Sequence, residues 1–265
     1  MSETKETKET KETKETKEIK ETKKPHIAGP THPPTHPNIT LWAGDFGVEY
    51  EERNALRSKE SIEQRAAFLR KWIVPLLPNP LPQRTKKVLE VGCGAGWNLY
   101  LLRSQFGLLG SRCEFYGVDV NQQVLDLAAK KLPEASFRLH SAHHMPTIPT
   151  NYFDLVFTMG TLIHVPTELV AQAYSEIWRA ARVGGTVTLF EYFSPVSVGI
   201  PYRGKDHILW KRDFGGEMMR MGRELGVQPE AISWGHTFKS MGEIDSMATW
   251  TLRKNAAGDF AHNAP

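Results

Sequence analysis

A chain of 265 residues with 40% hydrophobic content can bury one good-sized core. Its formal charge of +3 is too mild to argue for nucleic acid as a partner. Two cysteines, Cys93 and Cys113, give no disulfide framework, no apolar run reaches membrane-spanning length, and the polar N-terminus does not read as a secretion signal; a cytoplasmic protein without a membrane partner is expected.

Residues 3–23 repeat Glu-Thr-Lys, with Ile19 the one intrusion. Period three puts like charges at i,i+3, orders the i,i+4 pairs unfavourably and spends every third place on Thr. With nothing to bury, this segment is expected to be disordered. Pro25, Pro30, Pro33, Pro34 and Pro37 then read as an extended linker, so residues 1–40 form a tail and folding starts at Leu41. Trp42, Phe46 and Tyr50 recur at i, i+4 and i+8, a helix-like aromatic stripe that packs at least in part as core. Ser58 caps a helix over 59–74, whose Ile62, Ala66, Leu69 and Ile73 share one face and which Pro75 stops. Pro78, Pro80 and Pro82 lead out of this N-terminal segment, 41–84.

The most informative stretch follows. Val88-Leu89-Glu90-Val91 is a short buried strand that runs into Gly92-Cys93-Gly94-Ala95-Gly96, a tight turn opening a helix over 97–105. That helix aims free N–H groups at whatever sits above the turn. A dinucleotide fingerprint would place a third glycine where Trp97 stands, and Glu90 would repel a pyrophosphate. A carboxylate there suits a ligand with positive charge and an amino group, as in S-adenosylmethionine. The next strand, Cys113–Asp119, ends in an acid placed to accept hydrogen bonds from two ribose hydroxyls.

The Glu90–Gly96 segment with Asp119 resembles the class I S-adenosylmethionine-dependent methyltransferases. Phe153-Asp154-Leu155-Val156-Phe157 resembles that family's fourth strand, and Gly184-Gly185-Thr186-Val187-Thr188-Leu189 its turn and fifth strand. The likeness spans a core of 85–193. Leu41–Tyr50 with Arg53-Asn54, and Ile200–Gly204 with Leu209–Phe214, are similar to methylases associated with pseudaminic acid (sialic-acid-like sugar) biosynthesis.

Helices over 122–131, 168–180 and 213–224 alternate with strands over 135–139, 153–157, 184–189, 230–233 and 244–252. The resemblance implies an α/β fold: a doubly wound, Rossmann-like seven-stranded sheet with an antiparallel last strand. It also implies that the N-terminal segment closes over the cofactor as a helical lid. A substrate-loop insertion is read at 194–214, the C-terminal part of the sheet at 215–253 and a flexible tail at 254–265.

Site residues follow from these placements. The cofactor is assigned Glu90, Gly92, Cys93, Gly94, Asp119 and Val120 from the turn and second strand. The resemblance adds Ser141 and Ala142 at the adenine and Met159 at the methionine moiety, while Tyr50 and Arg53 of the lid are assigned to its carboxylate. Tyr50, His164 and Asp206 are nominated as a general base, should the acceptor have to lose a proton. Trp42 of the lid stripe, with Tyr202, Arg203, Trp210 and Arg212 of the basic, aromatic insertion, is nominated for the substrate. His140, His143 and His144 have no Cys or acid at a fixed offset, so no metal site is read. The expected activity is in-line methyl transfer to a small-molecule acceptor, anionic or sugar-linked. A non-catalytic S-adenosylmethionine-binding module and an NAD-dependent oxidoreductase are the alternatives. Thr158-Met159-Gly160-Thr161 lacks the Asp/Asn-Pro-Pro-aromatic tetrad of DNA amino-methylating enzymes, which argues against a nucleic-acid acceptor.

Overall fold

The computed structural model describes residues 36–77, 85–108, 113–225, 232–240 and 246–255. The Glu-Thr-Lys repeat, most of the linker, Pro78, Pro80 and Pro82, and residues 256–265 lie outside the described residues. The first described helix starts at Pro37, four residues ahead of the expected start at Leu41.

The aromatic stripe is carried by two helices rather than one, α1 (Pro37–Ala43) and α2 (Asp45–Asn54), broken at Gly44 in an extended conformation. The cause is tertiary. The Asn121 side-chain amide donates to Trp42 O (3.0 Å), a carbonyl that a continuous helix would use itself, and to Gly44 O (2.9 Å), which also accepts from Gly47 N (3.0 Å) at the start of α2. Next comes α3 (Lys59–Trp72), opened by a capping box in which Ser58 Oγ accepts from Ser61 N at 3.0 Å and Ser61 Oγ from Ser58 N at 3.2 Å. Replacing Ser58 by Ala is expected to cost about 1 kcal/mol, measurable by denaturant unfolding.

The sheet contains β1 (Lys86–Val91), β2 (Cys113–Asp119), β3 (Ser136–Leu139), β4 (Phe153–Met159) and β5 (Ala181–Tyr192). After a separate hairpin, β6 (Val198–Tyr202) and β7 (Lys205–Lys211), it is completed by β8 (Ile232–Ser240) and β9 (Ser246–Lys254). The spatial order is β3-β2-β1-β4-β5-β9-β8. Pairs from β3 through β5 are parallel, and β9 runs antiparallel to both its neighbours. The four remaining helices are α4 (Trp97–Leu108), α5 (Gln122–Lys131), α6 (Val170–Ala180) and α7 (Phe214–Glu224).

Because strand side chains alternate, the sheet builds two cores. Leu89, Val91 and Val156 pack with Tyr174, Trp178 and Trp250 on one face. Val88, Leu155 and Phe157 pack with Leu69, Leu99 and Leu125 of α3, α4 and α5 on the other. Glu90 shares parity with Val88 and so faces the second layer. The fold is the doubly wound α/β sheet with an antiparallel last strand and a helical N-terminus. Its expected loop at 194–214 is instead a hairpin, turned by Arg203 (φ 50°) and Gly204 (φ 72°), a pair suited to a type I′ turn.

Candidate active site

The turn after β1 is stitched to β2 by Gly92 N and Cys93 N, which both donate to Val118 O (2.7 and 2.9 Å). Gly92 and Gly94 have φ of 73° and 52°, in the region that favours glycine. Neighbours also press on them: the Thr161 side chain occupies the space beside Gly92, and a Cβ on Gly94 would lie 2.7 Å from Glu51 Oε2. At the end of β2, Asp119 accepts from Gly94 N (2.9 Å) through Oδ2 and from Asn121 N (3.0 Å) through Oδ1. Burial raises its pKa, partly offset by these N–H donors.

Glu90 is 1% exposed. Its Oε1 accepts from Asn98 Nδ2 at 2.6 Å, while Oε2 is buried with no hydrogen-bond partner. Burial pushes its pKa up to about 8, opposed by the Asn98 hydrogen bond and the Arg65 charge. Arg65 Nη1 itself donates to Asn98 Oδ1 (3.0 Å) and contacts Met159 Sδ (3.2 Å).

These groups open on a cavity of about 670 Å³, in the size range of small-ligand sites. Glu90, Gly92, Cys93, Gly94, Asp119 and Val120 line it, as do Ser141, Ala142, Met159 and Tyr50. Arg53 does not. The cavity-facing side of α2 is Gly47, Tyr50, Glu51 and Asn54; Arg53 stands off that face, paired with Glu49 at 3.4 Å and set 5.9 Å from the Phe46 ring. The guanidinium at the cavity is that of Arg65, one helix further on.

Trp42 and His164 also line the cavity, in contact with ring centroids 4.0 Å apart and planes tilted by 52°, and Tyr50 meets both edge-on. Neither ring nitrogen of His164 makes a hydrogen bond of standard geometry. Burial pushes its pKa down to about 3, with the Ile208 backbone favouring the protonated form. Burial raises Tyr50 to about 12, helped by Tyr202 and Tyr192. Near neutral pH, His164 is therefore uncharged and weakly basic, and Tyr50 keeps its phenolic proton. Desolvation leaves neither suited to the general-base role for which it was nominated.

The hairpin residues Tyr202, Arg203, Asp206 and Trp210, and Arg212 just after it, do not line the cavity. Tyr202 packs edge-on against Phe46 at 6.3 Å, and Arg203 and Asp206 are exposed. Arg212 is 3% exposed and directs its guanidinium to Thr167 Oγ1 (2.7 Å), Ser197 Oγ (3.0 Å) and Glu217 (3.3 Å). The hairpin touches the site at second hand, through the Ile208 backbone at His164 and through His207 O, which accepts from Asn38 Nδ2 of α1 (2.8 Å).

His140 bonds Thr147 and His143 bonds Ser141, and no cluster able to hold a metal ion is found among the described residues. No helix among them is long and apolar enough to cross a membrane. Reading the sequence missed Glu51, Arg65, Asn98, Asn121 and Thr161. Only Asn98 and Asn121 carried a local signal, lying in the first turn of a helix and at a helix cap directly after a ligand-facing strand end.

Comparison with known proteins accords with this geometry. Residues 88–185 match the family described as "Methyltransferase domain". The chain is 30% identical over 174 residues to the demethylmenaquinone methyltransferase of Anoxybacillus flavithermus, covering 62% of this chain and 68% of that protein. It is 28% identical over 182 residues to the ubiquinone biosynthesis O-methyltransferase of Thiobacillus denitrificans, covering 62% and 73%. Among solved structures, the DhpI–SAH complex superposes with a TM-score of 0.55 at 17% identity, covering 83% of this chain and 96% of that one. The chain covers more than two thirds of a relative to which it is 30% identical, and its own carboxylate before the glycine turn, acid at the end of the next strand and sheet order fit the same cofactor; this chain belongs to the class I S-adenosylmethionine-dependent methyltransferases.

Proposed function

We propose that the protein methylates a small, ring-containing acceptor held against the Trp42–Tyr50–His164 wall. The observation that carries this reading is the wall itself: three aromatic rings in mutual contact beside Met159 and Gly160, at the end of β4. Phe68, Phe190 and Tyr192 extend the apolar lining. The relatives named for demethylmenaquinone and ubiquinone biosynthesis support a ring acceptor. The cations expected to grip an anionic or sugar-linked acceptor, Arg203 and Arg212, lie outside the cavity, so the pseudaminic-acid-like specificity has no support in the geometry.

The residues suit S-adenosylmethionine. Glu90 Oε2 is an orphaned buried carboxylate oxygen for an ammonium, Asp119 an acceptor for ribose hydroxyls, and Arg65 a cation for a carboxylate. When bound, the cofactor supplies a methyl group activated on a sulfonium. The protein's own contribution is alignment and exclusion of water. With His164 weakly basic and Tyr50 protonated, the acceptor's nucleophile must be available on its own; Tyr50 can donate a hydrogen bond to orient it.

The test is release of S-adenosylhomocysteine from labelled cofactor with two acceptor panels, hydroxylated aromatic rings and sugar acids. Turnover is expected with the rings, and Trp42→Ala should raise the acceptor KM about tenfold while changing cofactor affinity less than about threefold. Turnover with sugar acids alone would overturn the ring reading. Cofactor binding with no turnover on either panel would favour a non-catalytic module.

A further inference from the structure

Glu191, the penultimate residue of β5, is fully buried and does not line the cavity. Its Oε1 accepts from Thr161 N (3.1 Å) and Leu162 N (3.2 Å), in the loop after β4. Oε2 has no hydrogen bond of standard geometry, the Thr158 hydroxyl being its polar neighbour. A carboxylate buried at such cost demands a return beyond packing.

What it holds is the seam between the two halves of the site. Gly160 N donates to the adjacent Phe190 O (2.8 Å), so the loop leaves β4 pinned to β5 from the start. Thr161 then turns its side chain into the space beside Gly92 of the glycine turn, its Oγ1 3.4 Å from Gly92 O. Thr161 O in turn accepts from His164 N (3.0 Å), the residue whose ring contacts Trp42. One buried carboxylate thus fixes the backbone of the residue that braces the turn on one side and seats the aromatic wall on the other. Opposite Glu191 on β9 is Ala248, which supplies no competing polar group, and Tyr174 of α6 is the titratable neighbour that feels its charge.

We propose that Glu191 is a positioning residue for methyl transfer, acting through Thr161 to hold Gly92 and His164 in register. The proposal rests on the cavity being the cofactor site. Burial raises the Glu191 pKa to about 7, so the comparison is made above that pH, where the carboxylate prevails; Glu191→Gln then keeps the shape and removes the charge, and the two charge-assisted N–H bonds weaken. Calorimetric titration with S-adenosylhomocysteine should show affinity about tenfold weaker than wild type. Amide hydrogen exchange should be about tenfold faster at Thr161 and Leu162, with β4 unchanged. Thr161→Gly, which removes the brace and leaves Glu191 in place, should weaken binding to a similar degree. Combining the two should add little to either alone.

Wild-type affinity in either variant would overturn the proposal, as would exchange raised uniformly through β4 and β5, the mark of a merely structural carboxylate. If Glu191→Gln does not fold, Glu191→Asp, which keeps the charge but shortens the reach to Thr161 N and Leu162 N, takes its place in the same measurements. Absence of binding in folded wild type would instead overturn the cofactor-site reading, and with it this one.

Discussion

Replacing Asp119 with alanine is expected to weaken S-adenosylhomocysteine binding by about 100-fold or more in calorimetric titration. Asp119 is both a ligand-facing carboxylate and an internal clamp, since its two oxygens hold Gly94 N and Asn121 N. A hydrogen bond to a charged group contributes about 1.5–3 kcal/mol, so losing the clamp and the ribose acceptor together exceeds the roughly 2.7 kcal/mol that 100-fold represents. Asn121 also ties α1 to the start of α2, through Trp42 O and Gly44 O, so the variant should open α1 and α2 to faster amide exchange. Asp119→Asn, which retains an acceptor oxygen, should fall between the two. A variant binding within about threefold of wild type would remove Asp119 from the cofactor site.

The second large effect is on pH. Glu90 is raised by burial from 4.5 to about 8, so in the free protein it is protonated at neutral pH. An ammonium brought beside it favours the carboxylate and lowers that pKa, so binding releases a proton. Affinity for S-adenosylhomocysteine should therefore rise with pH, approaching tenfold per unit between about 6 and 8, and level off above. The sign for stability is the reverse. A carboxyl whose folded pKa lies above its unfolded one destabilises the free protein progressively as pH climbs from 4.5 to about 8. Ligand-free melting temperature should thus fall over the interval in which ligand affinity grows. Glu90→Gln should bind more weakly, with a flatter profile. A wild-type affinity independent of pH from 6 to 8 would show that Glu90 is not coupled to the ligand.

Both effects begin in residues that could be picked out from the chain alone. The apolar run Val88–Val91, the glycines that tolerate positive φ, the acid just before the turn and the acid closing the next strand are local features. Their chemistry follows from residue type and spacing of a few positions. Local patterns likewise gave the alternation of strands and helices, while the doubly wound sheet with its antiparallel last strand was implied by the family resemblance.

What only tertiary structure decided is which distant side chains meet there. Trp42, Phe46 and Tyr50 are spaced for one helix, yet Asn121, far along the chain, claims Trp42 O, a carbonyl that would continue it. Arg53 and Arg65 are equally plausible cations in sequence; the rotation of α2 turns the first onto Phe46, and the packing of α3 on α4 delivers the second to Asn98. Arg203 and Arg212 look like substrate grips until a hairpin leaves one exposed and buries the other among Thr167, Ser197 and Glu217. Tyr50 and His164 reach the site as expected, but their burial, which no local pattern encodes, makes one a weak acid and the other a weak base. The sequence by itself determined which segments are strands and helices and where the glycine turn lies, because those rest on patterns among near neighbours. The aromatic wall, the cation and the proton inventory were decided by the tertiary structure, because orientation and desolvation arise only when separate segments pack together.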